Sequence, residues 1–151
     1  MSKNVLAILG SPRPNGVTAS MLKYAISCAE NAGHTVRQLN LYEQNLAYCT
    51  GCQACYQTQL CVQQDDIQQI VPLLRQADVV ILAAPVYWAN VPAPVKNLFD
   101  RLLGTAMKET ATFPEPRLSG KKYVLLTAFN TPAPFSWLFG QSRGAIRNMD
   151  E

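Results

Sequence analysis

Four of the five cysteines fall within thirteen residues, at Cys49, Cys52, Cys55 and Cys61. Thiols gathered this closely are ligands for a soft metal or an iron–sulfur cluster, or members of a redox couple. A second chemically loaded stretch is Gly10-Ser11-Pro12-Arg13-Pro14-Asn15-Gly16-Val17-Thr18. It lies between a short apolar run and an amphipathic one, where a turn leads from a strand into a helix. Free N–H groups near Val17 and Thr18, together with the helix dipole, favour an anion there. The Ser11 and Thr18 hydroxyls can donate, and Arg13 can pair with the charge as a fork. Pro12 and Pro14 stiffen the turn, and Asn15-Gly16 permits positive φ. An ordinary turn with a solvated arginine is the plain alternative, but hydroxyls, arginine and helix start coincide, which favours phosphate. The pattern is neither G-x-G-x-x-G nor G-x-x-x-x-G-K-[ST], so a dinucleotide or nucleoside-triphosphate site loses its main support.

The third stretch is the loop Pro85-Val86-Tyr87-Trp88-Ala89-Asn90-Val91-Pro92. In open α/β sheets ligands bind beyond the carboxyl ends of the strands, near the switch in strand order. Tyr87 and Trp88 offer flat apolar surface with a polar tip, suited to a planar ring. Elsewhere two loop aromatics would be plain packing; beside the phosphate turn they favour ring contact.

These stretches must be positioned by elements legible from periodicity. Asn4–Leu9 and Asp78–Ala84 are nearly all-apolar runs, as strands buried on both faces are. Thr35–Leu41 and Lys122–Ala128 are two further strands, the former polar enough for an edge. Met21, Leu22, Ala25, Ile26 and Ala29 recur at helical spacing across Val17–Ala32, with Gly33 placed to cap. Cys28 in this helix reads as a small buried apolar residue, and His34 as a solvated loop residue. Asp65 and Asp66 precede a helix to about Gln76, with Gln68 and Gln69 in capping-box reach. Pro72 interrupts that pattern. Pro94 opens a helix carrying Val95, Leu98, Phe99, Leu102 and Leu103. Thr105–Gly120 and Asn130–Gly140 read as loops, and Gln141–Glu151 as a helix beginning. Lys96 and Asp100, four apart, make a local ion pair. Trp137, Leu138 and Phe139 are an apolar group suited to a subunit contact.

The alternation of strand and helix predicts α/β with a parallel sheet and right-handed crossovers, in a single domain over 1–151. Only four strands are visible where a flavodoxin-like doubly wound sheet has five. The expectation is a C-terminally incomplete domain, or a fourth strand whose edge something else covers. At 151 residues and 48% hydrophobic the chain can bury one core and not two. Its net charge of +3 comes from scattered Lys and Arg, with Lys121-Lys122 the only adjacent pair, which argues against nucleic acid. No run reaches the roughly 18 apolar residues of a membrane span. Val5–Leu9 is too short for a signal-peptide core. An odd cysteine count without an export signal predicts a reducing, cytoplasmic setting.

Ser11-Pro12-Arg13 with Thr18, the Pro85-Val86-Tyr87-Trp88 loop and the helix Pro94-Val95-Lys96-Asn97-Leu98-Phe99-Asp100-Arg101 resemble the FMN-binding NAD(P)H-dependent reductase family of flavodoxin-like fold. The cysteine run followed by Asp65-Asp66 is similar to its iron–sulfur flavoprotein branch. The resemblance covers residues 4 to about 130. It implies an FMN phosphate held by Ser11, Arg13, Asn15, Gly16, Val17, Thr18 and Ala19. It places the isoalloxazine against Pro85, Val86, Tyr87 and Trp88 and against the loop after the fourth strand, Thr127, Ala128, Phe129 and Asn130. It further implies NAD(P)H as co-substrate and a homodimer or tetramer. With few acids or bases in these stretches, the flavin would carry the chemistry and no side chain would be catalytic.

The cysteine spacing stays open among three outcomes. The bacterial pattern C-x-x-C-x-x-C-x-x-x-C-P sends its fourth thiolate to a second cluster. Here the last gap is five residues and Val62 replaces the proline, so Cys49, Cys52, Cys55 and Cys61 could wrap one [4Fe–4S] cluster. Structural zinc usually pairs two C-x-x-C knuckles across a longer spacer. A loop of thiols with no metal is the third outcome. The functional readings are an FMN-dependent oxidoreductase passing electrons to a quinone, flavin or protein; an FMN/iron–sulfur carrier without a nicotinamide site; and a non-catalytic flavin-binding regulator.

Overall fold

The computed structural model of the chain describes residues 1–138 and 140–150. Four parallel strands, β1 (Asn4–Leu9), β2 (Thr35–Asn40), β3 (Val79–Pro85) and β6 (Lys122–Ala128), lie in the order β2-β1-β3-β6. That is the order of a flavodoxin-like doubly wound sheet, with β6 as fourth strand.

Residues along the central strands alternate between two cores, as the two-residue strand period requires. Val5, Ala7, Leu9, Ile81 and Ala83 meet Ala19 and Leu22 of α1 (Val17–Asn31). Leu6, Ile8, Leu82 and Ala84 face the other way, onto α3 (Ile67–Gln76) and α4 (Ala93–Ala106). Between β2 and α3 run a 3-10 turn (Leu41–Glu43) and a short α2 (Cys55–Thr58). The two stretches expected as loops hold small elements. An antiparallel pair, β4 (Met107–Lys108) and β5 (Glu115–Pro116), follows α4, and α5 (Ala133–Leu138) precedes α6 (Gln141–Asp150). Among the described strands none pairs with the second edge of β6, where Tyr123 and Val124 are exposed.

The α1 end is the expected glycine cap, a Schellman motif: the Gly33 N–H donates to the Glu30 carbonyl and the His34 N–H to the Ala29 carbonyl. Other local expectations change. His34 is half-buried with a shielded, unpaired Nδ1 rather than solvated. Cys28 is exposed, because it falls outside the Leu22–Ala25–Ile26–Ala29 stripe. At the α3 start no capping box forms. Asp65 Oδ1 accepts from the Ile67 N–H, Asp66 Oδ2 accepts from the Asn45 N–H, and Gln68 turns to the carbonyls of Cys61 and Gln63. Helix α3 runs through Pro72, whose lost hydrogen bond is offset by burial of Ile67, Ile70, Val71 and Leu74. Lys96 and Asp100 form the expected exposed ion pair. Of the apolar group near the end, Leu138 is exposed; Phe139 and the Trp137 side chain lie outside what is described. Among the described residues no helix is long and apolar enough to cross a membrane.

Candidate functional site

At the carboxyl end of β1 the chain turns into α1 through Ser11–Gly16. Ser11 and Thr18 are buried, and Ser11 Oγ accepts from the Arg13 N–H at 3.2 Å. The Gly16 N–H closes a turn on the Arg13 carbonyl. Gly16 is the N-cap of α1 in extended conformation, no side chain caps the helix, and no acidic residue sits in its first turn. Such an end presents free N–H groups and a positive dipole to whatever lies beyond it.

The loop after β3 is a tight hairpin. Tyr87 and Asn90 exchange both backbone hydrogen bonds, at 2.8 and 3.0 Å, around Trp88 and Ala89. Both central residues have positive φ, 53° and 58°, the signature of a type I′ turn. That turn prefers Asn-Gly; here it carries Trp-Ala, with the Trp88 ring fully exposed. The α6 backbone supports it so closely that a β-carbon on Gly144 would lie 2.2 Å from the Ala89 carbonyl oxygen.

Between the turn and the hairpin lies an open cleft of about 420 Å³. Its walls are Ser11, Arg13, Gly16, Val17 and Thr18 on one side, Pro85–Ala89 on another, and Ala128–Thr131 beyond β6. The Val86 N–H donates to the Ala128 carbonyl at 3.0 Å and ties the last two walls together. Of the residues expected here, Asn15, Ala19 and Thr127 do not line the cleft. Asn15 points outward to accept from Lys23, and Ala19 is buried under the sheet. Thr127 Oγ1 is shielded without a partner, as strand alternation puts it on the same face as Ala84. Ala89 and Thr131 line the cleft unforeseen, Ala89 because the hairpin is tighter than a generic loop.

The four clustered cysteines are not brought together. Cys49 and Cys52 are exposed, Cys55 is half-buried and Cys61 is buried. Among the described residues no three His, Cys, Asp or Glu side chains stand close enough to share a metal ion. One of the four, Cys61, has a partner on α4. Arg101 is wholly buried, and its Nε donates to Cys61 Sγ at 3.2 Å. Its two terminal nitrogens clasp both Asp65 carboxylate oxygens at 2.8 and 2.9 Å. Burial alone would raise the Asp65 carboxyl, but hydrogen bonds from Arg101, Ile67 and Ala47 outweigh it and hold the group below its usual range. Burial likewise works against the Arg101 charge, and Asp65 and Cys61 more than restore it.

Residues 3–130 match the NADPH-dependent FMN reductases. The chain belongs to that family. It is 42% identical over 98 residues to a protein of Archaeoglobus fulgidus named iron–sulfur flavoprotein, a match covering 65% of this chain and 44% of that one. It is 34% identical over 62 residues to the FMN-dependent NADH:quinone oxidoreductase of Yersinia enterocolitica, covering 40% and 31%. The solved NAD(P)H:quinone oxidoreductase of Methanothermobacter marburgensis shares the fold at a TM-score of 0.80 and 19% identity, over 98% of this chain and 79% of that one. The chain spans about half the length of the curated iron–sulfur flavoproteins it matches.

Tested against the cofactor of an FMN reductase, the cleft residues fit. An uncapped helix start, two buried hydroxyls and Arg13 suit a phosphate, and an aromatic hairpin at the far wall suits a flat ring. Tested against an iron–sulfur cluster, the donor chemistry of four thiols fits, and the Arg101 N–H to Cys61 Sγ bond is of a kind that ligating thiolates also accept.

Proposed function

We propose that the chain is an FMN-dependent oxidoreductase that takes a hydride from NAD(P)H and passes electrons to a small-molecule or protein acceptor. One observation carries the proposal: the uncapped α1 start, with buried Ser11 and Thr18, opens into the same cleft as the Tyr87–Asn90 hairpin. In this reading Ser11, Arg13 and the backbone of Gly16–Thr18 hold the phosphate. Pro85–Trp88 and Ala128–Phe129 border the ring and leave one side open to a nicotinamide or an acceptor. FMN, when bound, supplies two-electron chemistry; the protein supplies position and charge. A quinone is the first acceptor to try, given the name of the Yersinia relative. The remaining expectations, a single domain completed by a fifth strand, a homodimer or tetramer, and a cytoplasmic setting, belong to the same proposal.

The test is anaerobic oxidation of NADPH and NADH by FMN-loaded protein with a quinone or ferricyanide. Turnover with either nicotinamide supports the proposal, and bound FMN without any turnover favours a carrier or a regulator. A protein that takes up no FMN overturns all three.

A second reading adds a [4Fe–4S] cluster, favoured by the four-cysteine spacing and by relatives named iron–sulfur flavoprotein. Among the described residues the four sulfurs are not gathered into one site. Iron content and the absorption spectrum of anaerobically purified protein decide the matter.

A further inference from the structure

Three buried polar residues stand four apart on one face of α4: Asn97, Arg101 and Thr105. All three reach into the cysteine segment. Asn97 Nδ2 donates to the carbonyls of Leu46 and Ala47, at 3.1 and 3.3 Å. Thr105 Oγ1 donates to the Gln59 carbonyl at 2.8 Å. Arg101, between them, donates to the Ala47 carbonyl at one end of the segment and to Cys61 Sγ at the other. Asp65 neutralises Arg101 and also accepts from the Ala47 N–H at 3.0 Å.

A buried guanidinium carries a desolvation cost that only complete hydrogen bonding offsets. An apolar residue would anchor a plain loop without that cost. The groups Arg101 satisfies are therefore informative: a thiol, a carbonyl and a carboxylate, each fixed in direction. We propose that Arg101 is the positioning residue of the cysteine segment, holding the Cys61 thiol and the Ala47 carbonyl so that α4 gives residues 47–61 their shape before any metal binds. Cys61 is then fixed in the metal-free chain, while Cys49 and Cys52 stay exposed. The inference stands independently of the flavin reading.

The experiment uses the full chain stripped of metal with a chelator under reducing conditions. N-ethylmaleimide is added and each cysteine is followed by mass spectrometry, with exposed Cys28 on α1 as the reference thiol. In the wild-type chain Cys61 should react at least about tenfold more slowly than Cys49 and Cys52, because it must wait for local opening. Arg101→Gln should raise the Cys61 rate about tenfold or more while Cys28 keeps its rate. General loosening would also speed backbone amide exchange in β1 and β3, which should stay unchanged; a lost clamp is felt at Cys61. Arg101→Lys should protect only in part, since one ammonium cannot serve sulfur, carbonyl and both carboxylate oxygens together. If Cys61 of the metal-free wild-type chain reacts as fast as Cys49, a metal shapes the segment and the proposal fails. An unchanged Cys61 rate in folded Arg101→Gln also overturns it. Should Arg101→Gln not fold, Arg101→Lys decides: a Cys61 rate equal to that of the wild type overturns the proposal.

Discussion

Gly104 on α4 and Cys55 on α2 meet backbone to backbone: a β-carbon on Gly104 would lie 2.1 Å from the Cys55 carbonyl oxygen. Two effects oppose each other in Gly104→Ala. Alanine in a helix interior gains about 1 kcal/mol over glycine. The overlap with main chain cannot be relieved by a rotamer, and forced displacement costs about 1–3 kcal/mol. The clash should win. Gly104→Ala is expected to lower the urea unfolding free energy by about 1 kcal/mol or more. A stabilised variant would mean that α2 does not rest on α4 in this way.

The Arg101–Asp65 pair predicts a pH dependence. Asp65 ionises at lower pH in the folded chain than in the unfolded one, so the unfolded state binds more protons as the pH drops through that window. The contribution of Asp65 is complete above the ordinary aspartate pKa of about 4 and is lost as pH falls through the lowered folded value. Asp65→Asn should cost about 3–5 kcal/mol at pH 7, the cost of leaving Arg101 buried without its counter-charge. The gap between wild type and variant should narrow below pH 4 in thermal or urea unfolding. A gap constant from pH 7 to pH 2 would show that the carboxylate charge contributes nothing.

Much of this arrangement was legible from the residues, and its limits have physical causes. The apolar run Asn4–Leu9 coincides with β1, because a buried parallel strand needs little beyond side-chain character, and Lys122–Ala128 coincides with β6, a half-exposed edge strand marked by its Tyr, Val and Thr. The turn into α1 could be found because helix starts carry local signals in hydroxyls and glycine. The clamp could not. Asn97, Arg101 and Thr105 look like solvated helix positions until one knows that residues 46–61 fold over them, which is tertiary information. A polar row at four-residue spacing, running beside Val95, Leu98 and Leu102, was the signal available. The cysteine spacing leaves side-chain direction open, and the Arg101 N–H that meets Cys61 Sγ could not be read from it.

Arg13 offers a test that separates phosphate from ring recognition. A charge-assisted hydrogen bond is worth about 1.5–3 kcal/mol, so Arg13→Ala should weaken FMN binding roughly 10- to 150-fold. Riboflavin, which lacks the phosphate, should bind wild type and variant alike. Quenching of flavin fluorescence gives both affinities. An equal loss for the two ligands would place Arg13 at the ring, or make its effect structural.

The Trp88–Ala89 hairpin holds two non-glycine residues at positive φ, a conformation that costs each about 1–2 kcal/mol. Ala89→Gly removes that strain at one position and leaves the Trp88 ring in place. It should raise the unfolding free energy by about 1 kcal/mol with little change in riboflavin affinity. Trp88→Gly relieves the same kind of strain but deletes the exposed ring. Stability should again rise by about 1 kcal/mol, and riboflavin affinity should fall by an aromatic contact's worth, about 0.5–1.5 kcal/mol or 2- to 13-fold. Opposite signs for stability and binding in Trp88→Gly would mark the strain as the cost of presenting the ring to the cleft. If Trp88→Gly binds riboflavin as well as wild type does, the exposed indole has some other use.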